Sequence, residues 1–599
     1  MDGENARAKY APASDLKIAF RRSTGALVGV GLFSAIINIL ALTGALYMLQ
    51  IYDRVLTSHS VPTLVGITIV MAGIYLAYGM LDLIRLRILV RIGNRLDRSL
   101  QQRVFSLSLS LPLKLGPDGN RIQPIRDLDQ IRSFISSAGP TAFFDLPWIP
   151  FYLVVIYLLH PWLGLLATVG AVISIMITLL AELLARAPTL AAADSITARR
   201  IYAEAARRNA EVVRAMGLSG RLSRVWGDQS HRFLEDQTRI SDVVGATGAV
   251  SRVLRLMLQS FMLGLGAYLV IQGEATAGVI IASSIMLGRS LAPVDTAIAN
   301  WKGYISARQS YRQLDRLLLA LAMRDEPMAL PKPQRAISVE GLAVAAPGQQ
   351  KPIIQNVTFS LKAGTGLGII GPSASGKSTL VRAMVGAWHP LRGSIRYDDA
   401  ALDQWDFEKL GRHIGYLPQD IELFEGTVAE NICRFEEDVE SAAILAAAEA
   451  AGVKQMILRL ADGFQTRVGE RGMALSAGQR QLVGLARALY GDPFVVIMDE
   501  PNSNLDSDGD MSLAVAIRGI RQRGGIAIVV AHRPSALAHI DQVLVMAAGT
   551  MQAIGPKDEV LAKVLQASAA QQERRPAMTE AGPAEARQTT TVVPLHERR

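Results

Sequence analysis

Apolar residues crowd the first half of this chain and thin out in the second. Residues 24–49, 61–81, 143–159, 162–183, 253–271 and 275–291 are almost free of charge, and most approach the ~20 residues that a helix needs to cross ~30 Å of hydrocarbon. The pattern predicts six membrane-spanning helices. The fifth and sixth runs are short enough for buried helices, yet the Gln272-Gly273-Glu274 turn between them predicts a hairpin that crosses the bilayer. Further along the pattern changes to short β-branched runs, Leu367-Gly368-Ile369-Ile370, Phe494-Val495-Val496-Ile497-Met498 and Ile526-Ala527-Ile528-Val529-Val530, which read as buried parallel strands.

Charge orients the spans. Lys9, Lys17, Arg21 and Arg22 precede the first; Arg85 to Arg132 and Arg186 to Arg239 supply two basic series in the long connections after the second and fourth; Arg54 alone lies in the opposite connections. Basic loops stay on the cytoplasmic side, so both termini and both long connections are expected there. A formal charge of +9 and a pI near 9.6 are accounted for by an anionic membrane face, with lipid as the partner and no nucleic acid required. The connections 82–142 and 184–250 are rich in Ala, Leu, Arg and Glu and predict helices that run into the cytoplasm and turn back, with Pro112, Gly116 and Pro117 breaking the first. Arg252, Arg255, Arg289 and Asp295 fall near predicted helix ends and read as anchors.

The resulting division is a cytoplasmic segment 1–23, a transmembrane domain 24–310, a linker 311–335, a nucleotide-binding domain 336–566 and a disordered tail 567–599 whose Gln, Ala, Arg, Thr and Pro content cannot build a core. The single cysteine, Cys433, excludes an internal disulfide and reads as a small apolar residue. The first apolar run is long, follows a polar segment and precedes further spans, which argues against a cleaved signal peptide.

Candidate chemistry begins where an apolar strand gives way to Gly371-Pro372-Ser373-Ala374-Ser375-Gly376-Lys377-Ser378-Thr379. Strand, glycine-rich loop and helix are the setting in which backbone N–H groups and a helix N-terminus cradle phosphates, a lysine reaches the outer phosphates and a Ser hydroxyl faces Mg²⁺. A glycine turn alone could imitate this. The strand ending in Asp499-Glu500 then delivers two carboxylates to the same sheet edge, and two such motifs in order point to ATP and Mg²⁺.

Leu475-Ser476-Ala477-Gly478-Gln479, ahead of an amphipathic helix, could be an ordinary N-cap, but it resembles the signature motif of ABC ATPases. Gln419, the loop Ser503-Asn504-Leu505-Asp506 and His532 match further motifs of that family. The resemblance implies that residues 371–379 bind the phosphates, that Ser378, Gln419 and Asp499 surround Mg²⁺, that Glu500 polarises the attacking water and that His532 senses the γ-phosphate. It also implies that Ser476, Gly478 and Gln479 close over the nucleotide of a second copy. One set of motifs per chain makes a homodimer the simplest arrangement, with two competent sites. Ala346 stands where relatives carry an adenine-stacking aromatic, so weaker discrimination of ATP from GTP is expected.

In the membrane half, Asp129-Gln130-Ile131-Arg132-Ser133-Phe134, Gly139-Pro140, Phe143-Phe144-Asp145-Leu146-Pro147-Trp148-Ile149-Pro150 and His160-Pro161-Trp162-Leu163-Gly164 resemble type I secretion permease-ATPases, in particular the protease and lipase exporter branch. The implied fold is a membrane α-helical six-span ABC exporter domain followed by an α/β P-loop ATPase domain, with hairpin tips near 107–123 and 209–219 resting on the ATPase. The implied activity is ATP-driven polypeptide export from the bacterial inner membrane with a periplasmic adaptor and an outer-membrane channel. The segment 1–23 is too short for the cysteine-peptidase domain of some peptide exporters. A lipid or drug half-transporter and an ATP-gated regulatory membrane protein are the competing readings.

Overall fold

The computed structural model describes residues 14–321, 330–531, 534–563 and 566. The chain forms two compact units, Met1–Asp325 and Glu326–Arg599. His532 and the tail from 567 fall outside the described residues.

The first unit is helical. Among its described residues, six helices are long and apolar enough to cross a membrane: Thr24–Ser58, Val61–Leu115, Gly139–Leu159, Pro161–Arg208, Ser219–Ile271 and Ala277–Ala320. Their outward faces carry large apolar side chains such as Leu76, 77% exposed, and Leu158, 80% exposed, which water does not favour and hydrocarbon does. As expected from composition, the second, fourth and fifth helices run far beyond their apolar windows, and the chain reverses at the 3-10 turn Gly116–Arg121 and around the short helix Ala210–Ala215.

Several local expectations are corrected. Pro112 does not break the second helix, which contains it and ends only at Leu115, where Gly116 adopts φ +60; the proline lacks an N–H to donate, but its carbonyl still accepts from the Gly116 N–H. The sixth helix runs to Leu321 through the first part of the expected linker, because Leu314 and Leu318 are buried in a core with Leu16, Leu96, Leu100 and Leu128. Within the segment before the first span, Asp15–Arg22 is a helix capped by Ser14, whose hydroxyl accepts from the Lys17 N–H; Leu16 is fully buried and Lys17 pairs with Asp315 at 3.1 Å. Arg255, Arg289 and Asp295 are not anchors at helix ends: Arg255 and Ser251 both bond Asp295 across two helices, and Arg289 stacks over Tyr78.

Two features tie the spans together. At the outer end of the first span, a π-helical turn over Ile51–Val55 presents Asp53, which accepts from the Thr276 hydroxyl at 2.7 Å and the Gly278 N–H at 2.9 Å. Deeper, Asp145 accepts from Arg85 Nη1 and Asn38 Nδ2, while Arg85 also reaches Ser34 and Asp82 and the Tyr152 hydroxyl donates to the Asn38 carbonyl. Pro147 and Pro150 divide the third span into Gly139–Asp145, a 3-10 turn Leu146–Trp148 and Ile149–Leu159, and Asp145 lies at the bend.

The second unit holds two sheets. β1 (Ala336–Ala345), β2 (Pro352–Lys362), β4 (Arg392–Tyr397) and β5 (Ala400–Ala401) form an antiparallel sheet in the order β2-β1-β4-β5. The other has the order β10-β9-β3-β8-β7-β6, from β3 (Gly366–Ile370), β6 (Ile414–Leu417), β7 (Val495–Asp499), β8 (Ile526–Val530), β9 (Gln542–Ala547) and β10 (Thr550–Pro556). β9, β3, β8, β7 and β6 run parallel and only β10 is antiparallel. Every residue of β7 and β8 is buried, as the continuous apolar runs predict for strands covered on both faces.

Candidate functional site

Three parallel strands release candidate residues at one sheet edge. β3 leads into the loop 371–376 and the helix Lys377–Met384; β7 ends in Asp499 and Glu500; β6 is followed by Gln419. β8, between β3 and β7, leads to Ala531 and so to the undescribed His532. Carboxyl ends of parallel strands are where such sheets bind ligands.

The loop is built for close backbone approach. Gly371 has φ +153 and a Cβ there would lie 2.1 Å from the Met546 carbonyl; Gly376 has φ +96 and a Cβ would lie 2.4 Å from the Ile354 side chain. Ala374 takes a positive φ of 61. Lys377 is 6% exposed, and its ammonium donates to the carbonyls of Gly371 and Pro372 at 2.9 Å each. Burial lowers the Lys377 pKa from its ordinary value, opposed by the charges of Glu500 and Asp499. The ammonium is therefore held at the loop beside two acids.

Asp499 is 2% exposed, and its Oδ1 is buried without a hydrogen-bond partner. Burial raises its pKa, which the Ser378 side-chain hydrogen bond lowers again and nearby Glu500 raises. An orphaned carboxylate oxygen beside a hydroxyl is a hard-oxygen donor set that fits Mg²⁺, which binds through one or two carboxylates and completes its shell with phosphates and water. Gln419 Nε2 donates to Glu500 Oε2 at 3.1 Å, while Glu500 itself sits at φ 51 and donates its N–H to the Val530 carbonyl at 3.1 Å. A non-glycine residue in the left-handed region is strained, and such strain gathers at functional sites.

Ser476 caps the helix Ala477–Leu489: its hydroxyl accepts from the Gln479 N–H at 3.2 Å, and Gln479 Oε1 accepts from the Ser476 N–H at 2.9 Å. The N-cap reading therefore holds as a local fact, and Ser476 with Ala477 stays exposed. Sequence reasoning missed Gln481, 2% exposed, whose amide donates to the Pro501 carbonyl and accepts from the Asn504 N–H; it ties the signature helix to the loop after the two acids. It also missed Arg382, whose charge acts on Asp499 and which bonds Tyr416. Neither has a local signal, since each works through partners distant in sequence.

Ala346, Pro347, Gly348 and Gln349 form a tight turn closed by the Gln349 N–H on the Ala346 carbonyl at 2.9 Å, with Gly348 at φ +77. Proline then glycine in its centre suits a type II turn, and none of its four residues is aromatic.

Residues 354–503 match the family described as ABC transporter, and residues 27–290 match the ABC transporter transmembrane region. The chain is 51% identical over 552 residues to the type I secretion system ATP-binding protein PrsD of Rhizobium meliloti (strain 1021), covering 92% of this chain and 95% of that one. It is 28% identical over 535 residues to the leukotoxin translocation ATP-binding protein LktB of Mannheimia haemolytica, covering 88% and 75%. A bacterial Atm1-family ABC exporter solved with ATP bound superposes with a TM-score of 0.76 at 20% identity, over 93% of this chain and 99% of that one, a likeness of fold.

Proposed function

The chain belongs to the ABC transporter family, among the type I secretion ATP-binding proteins, and from that premise we infer that it exports a polypeptide across the bacterial inner membrane, driven by ATP. It is a multi-pass inner-membrane protein whose ATPase domain lies on the cytoplasmic side. The observation that carries the reading is kinship over nearly the whole length, 51% identity in one alignment of 552 residues that covers 92% of the chain.

The residues support an assignment of roles. Backbone N–H groups of 371–376 and the Lys377 ammonium bind the phosphates; Ser378 and Asp499, with Gln419 nearby, would hold Mg²⁺, which when bound offsets phosphate charge. Glu500 orients the attacking water and accepts its proton, while Gln419 fixes the Glu500 carboxylate through the 3.1 Å bond. His532 follows β8 and is assigned the γ-phosphate by its place in the motif order. Ser476, Gly478 and Gln479 cap the nucleotide of a second copy, so two chains complete two sites. A periplasmic adaptor and an outer-membrane channel receive the cargo.

Affinity purification from cells expressing the chain tests this. The expected outcome is a homodimer that hydrolyses ATP and retains an adaptor together with a secreted polypeptide. Purified protein that flips lipids and never holds an adaptor would overturn the secretion reading.

A further inference from the structure

Four arginines line one cavity of the membrane unit. It has a volume of about 530 Å³ and lies between the fourth helix, Pro161–Arg208, and the sixth, Ala277–Leu321. Arg308, Arg312 and Arg316 come from successive turns of the sixth helix, and Arg186 comes from the fourth. Four-residue spacing puts the first three on one face, within about 12 Å of helix. Among the described residues Glu182 is the only acid in the lining, and it reaches Arg308 at 3.9 Å. Arg186, Arg312 and Arg316 pair with no carboxylate among the described residues. Like charges one turn apart repel, so this column costs the fold stability unless an anion lies along it.

The cavity sits where hydrocarbon gives way to water. Arg186 is the first basic residue after the apolar run 162–183. On the sixth helix, residues 292–301 add only Asp295 as a charge, and Asp295 is paired with Arg255. Trp301 and Tyr304, in ring contact at 5.3 Å, then precede Arg308 by one to two turns, and such aromatics mark the membrane interface. Leu183 and Leu179 stand three and seven residues before Arg186, on its face of the fourth helix, and both are exposed. An apolar strip that runs into a cluster of cations is complementary to a molecule with acyl chains and an anionic head.

The cations select the head. Guanidinium groups bind phosphate oxygens bidentately, and basic pockets between spanning helices on the cytoplasmic side hold lipid headgroups. Soluble phosphate or an acidic peptide would satisfy the arginines but leave the leucines uncovered, and a zwitterionic lipid would bring a second cation against them. We propose that this cavity binds the phosphate headgroup of an anionic phospholipid from the cytoplasmic leaflet, with its acyl chains along Leu179 and Leu183. The bound phosphate neutralises the column and ties the fourth helix to the sixth. The proposal needs the membrane placement of the chain and holds whatever the cargo.

The test uses the full-length chain in a neutral detergent, stripped of lipid and titrated with phosphatidylglycerol or phosphatidylcholine, with bound lipid counted by native mass spectrometry. One phosphatidylglycerol per chain, bound at least tenfold more tightly than phosphatidylcholine, is the expected result. Arg186→Gln with Arg312→Gln and Arg316→Gln should abolish that preference. Arg312→Gln alone, the milder change, should weaken it about fivefold, the worth of one basic residue beside an anionic lipid. A control, Arg91→Gln with Arg95→Gln and Arg98→Gln, removes the same charge from exposed positions of the second helix and should leave the preference intact. Retained ATP binding shows that each variant is folded. Equal affinity for the two lipids, equal loss in the control, an undiminished preference in the Arg312 variant, or displacement of the lipid by millimolar inorganic phosphate or a hexaglutamate peptide would overturn it.

Discussion

Arg85 Nη1 lies 3.0 Å from each carboxylate oxygen of Asp145, an ion pair that joins the second-span helix to the bend of the third. Arg85 is 7% exposed. Breaking a buried pair from one side leaves an uncompensated charge, which costs about 3–5 kcal/mol. Asp145→Asn and Arg85→Met should each lower the melting temperature of the purified protein sharply, and the double change Arg85→Met with Asp145→Leu should recover much of the loss. A double variant as unstable as the sum of the singles would show that the pair is not the cause.

Glu500→Gln should keep ATP binding yet cut turnover by about 100-fold or more, the usual worth of a positioned proton acceptor. Lys377→Ala should instead weaken nucleotide binding itself. Phosphate release and binding of a fluorescent ATP analogue, measured on both variants, separate the two effects. Undiminished hydrolysis by the Glu500 variant would remove it from the proposed role.

Burial raises the Asp127 pKa from 3.8 to about 6, against lowering by the Ser310 hydrogen bond and Arg126. Because the folded value exceeds the unfolded one, this carboxyl favours the fold at low pH and loses that contribution as pH rises through about 6. At neutral pH an ionised Asp127 is therefore a cost, and Asp127→Asn should stabilise the protein by about 1 kcal/mol after allowance for solvent screening. The gain should shrink between pH 7.5 and pH 5. Thermal unfolding at the two values checks it, and equal gains at both would contradict the assignment.

Ala346→Tyr should supply the stacking surface that the turn lacks. Stacking is worth about 1–3 kcal/mol per base, so ATP affinity should rise by about tenfold. Competition between ATP and GTP measures whether the native protein discriminates weakly. Native turnover restricted to adenine nucleotides would locate base recognition elsewhere.

The parts legible in the sequence were those whose causes are local. The run 526–530 appears as β8 with the same limits, and Ser476 with Gln479 forms the cap that its spacing suggests. Gly371 and Gly376 explain themselves only in three dimensions, yet their motif is a local string. What stayed hidden depends on partners far along the chain. Leu16 is apolar in a polar segment, and nothing nearby announces that it is buried with Leu314 and Leu318. Arg255 near an expected helix end reads as an anchor until Asp295 is found beside it. Gln481 looks like one more polar residue on an amphipathic helix, and only the folded loop at Pro501 and Asn504 shows why it is buried.

The grip of Asp53 on Thr276 and Gly278 has a kinematic consequence. It clamps the periplasmic tips of the outermost two helices in chain order, so they swing as one lever while any outward gate must part at a different seam. A bridging disulfide engineered at those tips should leave export untouched, whereas release of the clamp by Asp53→Ala should make the lever slack.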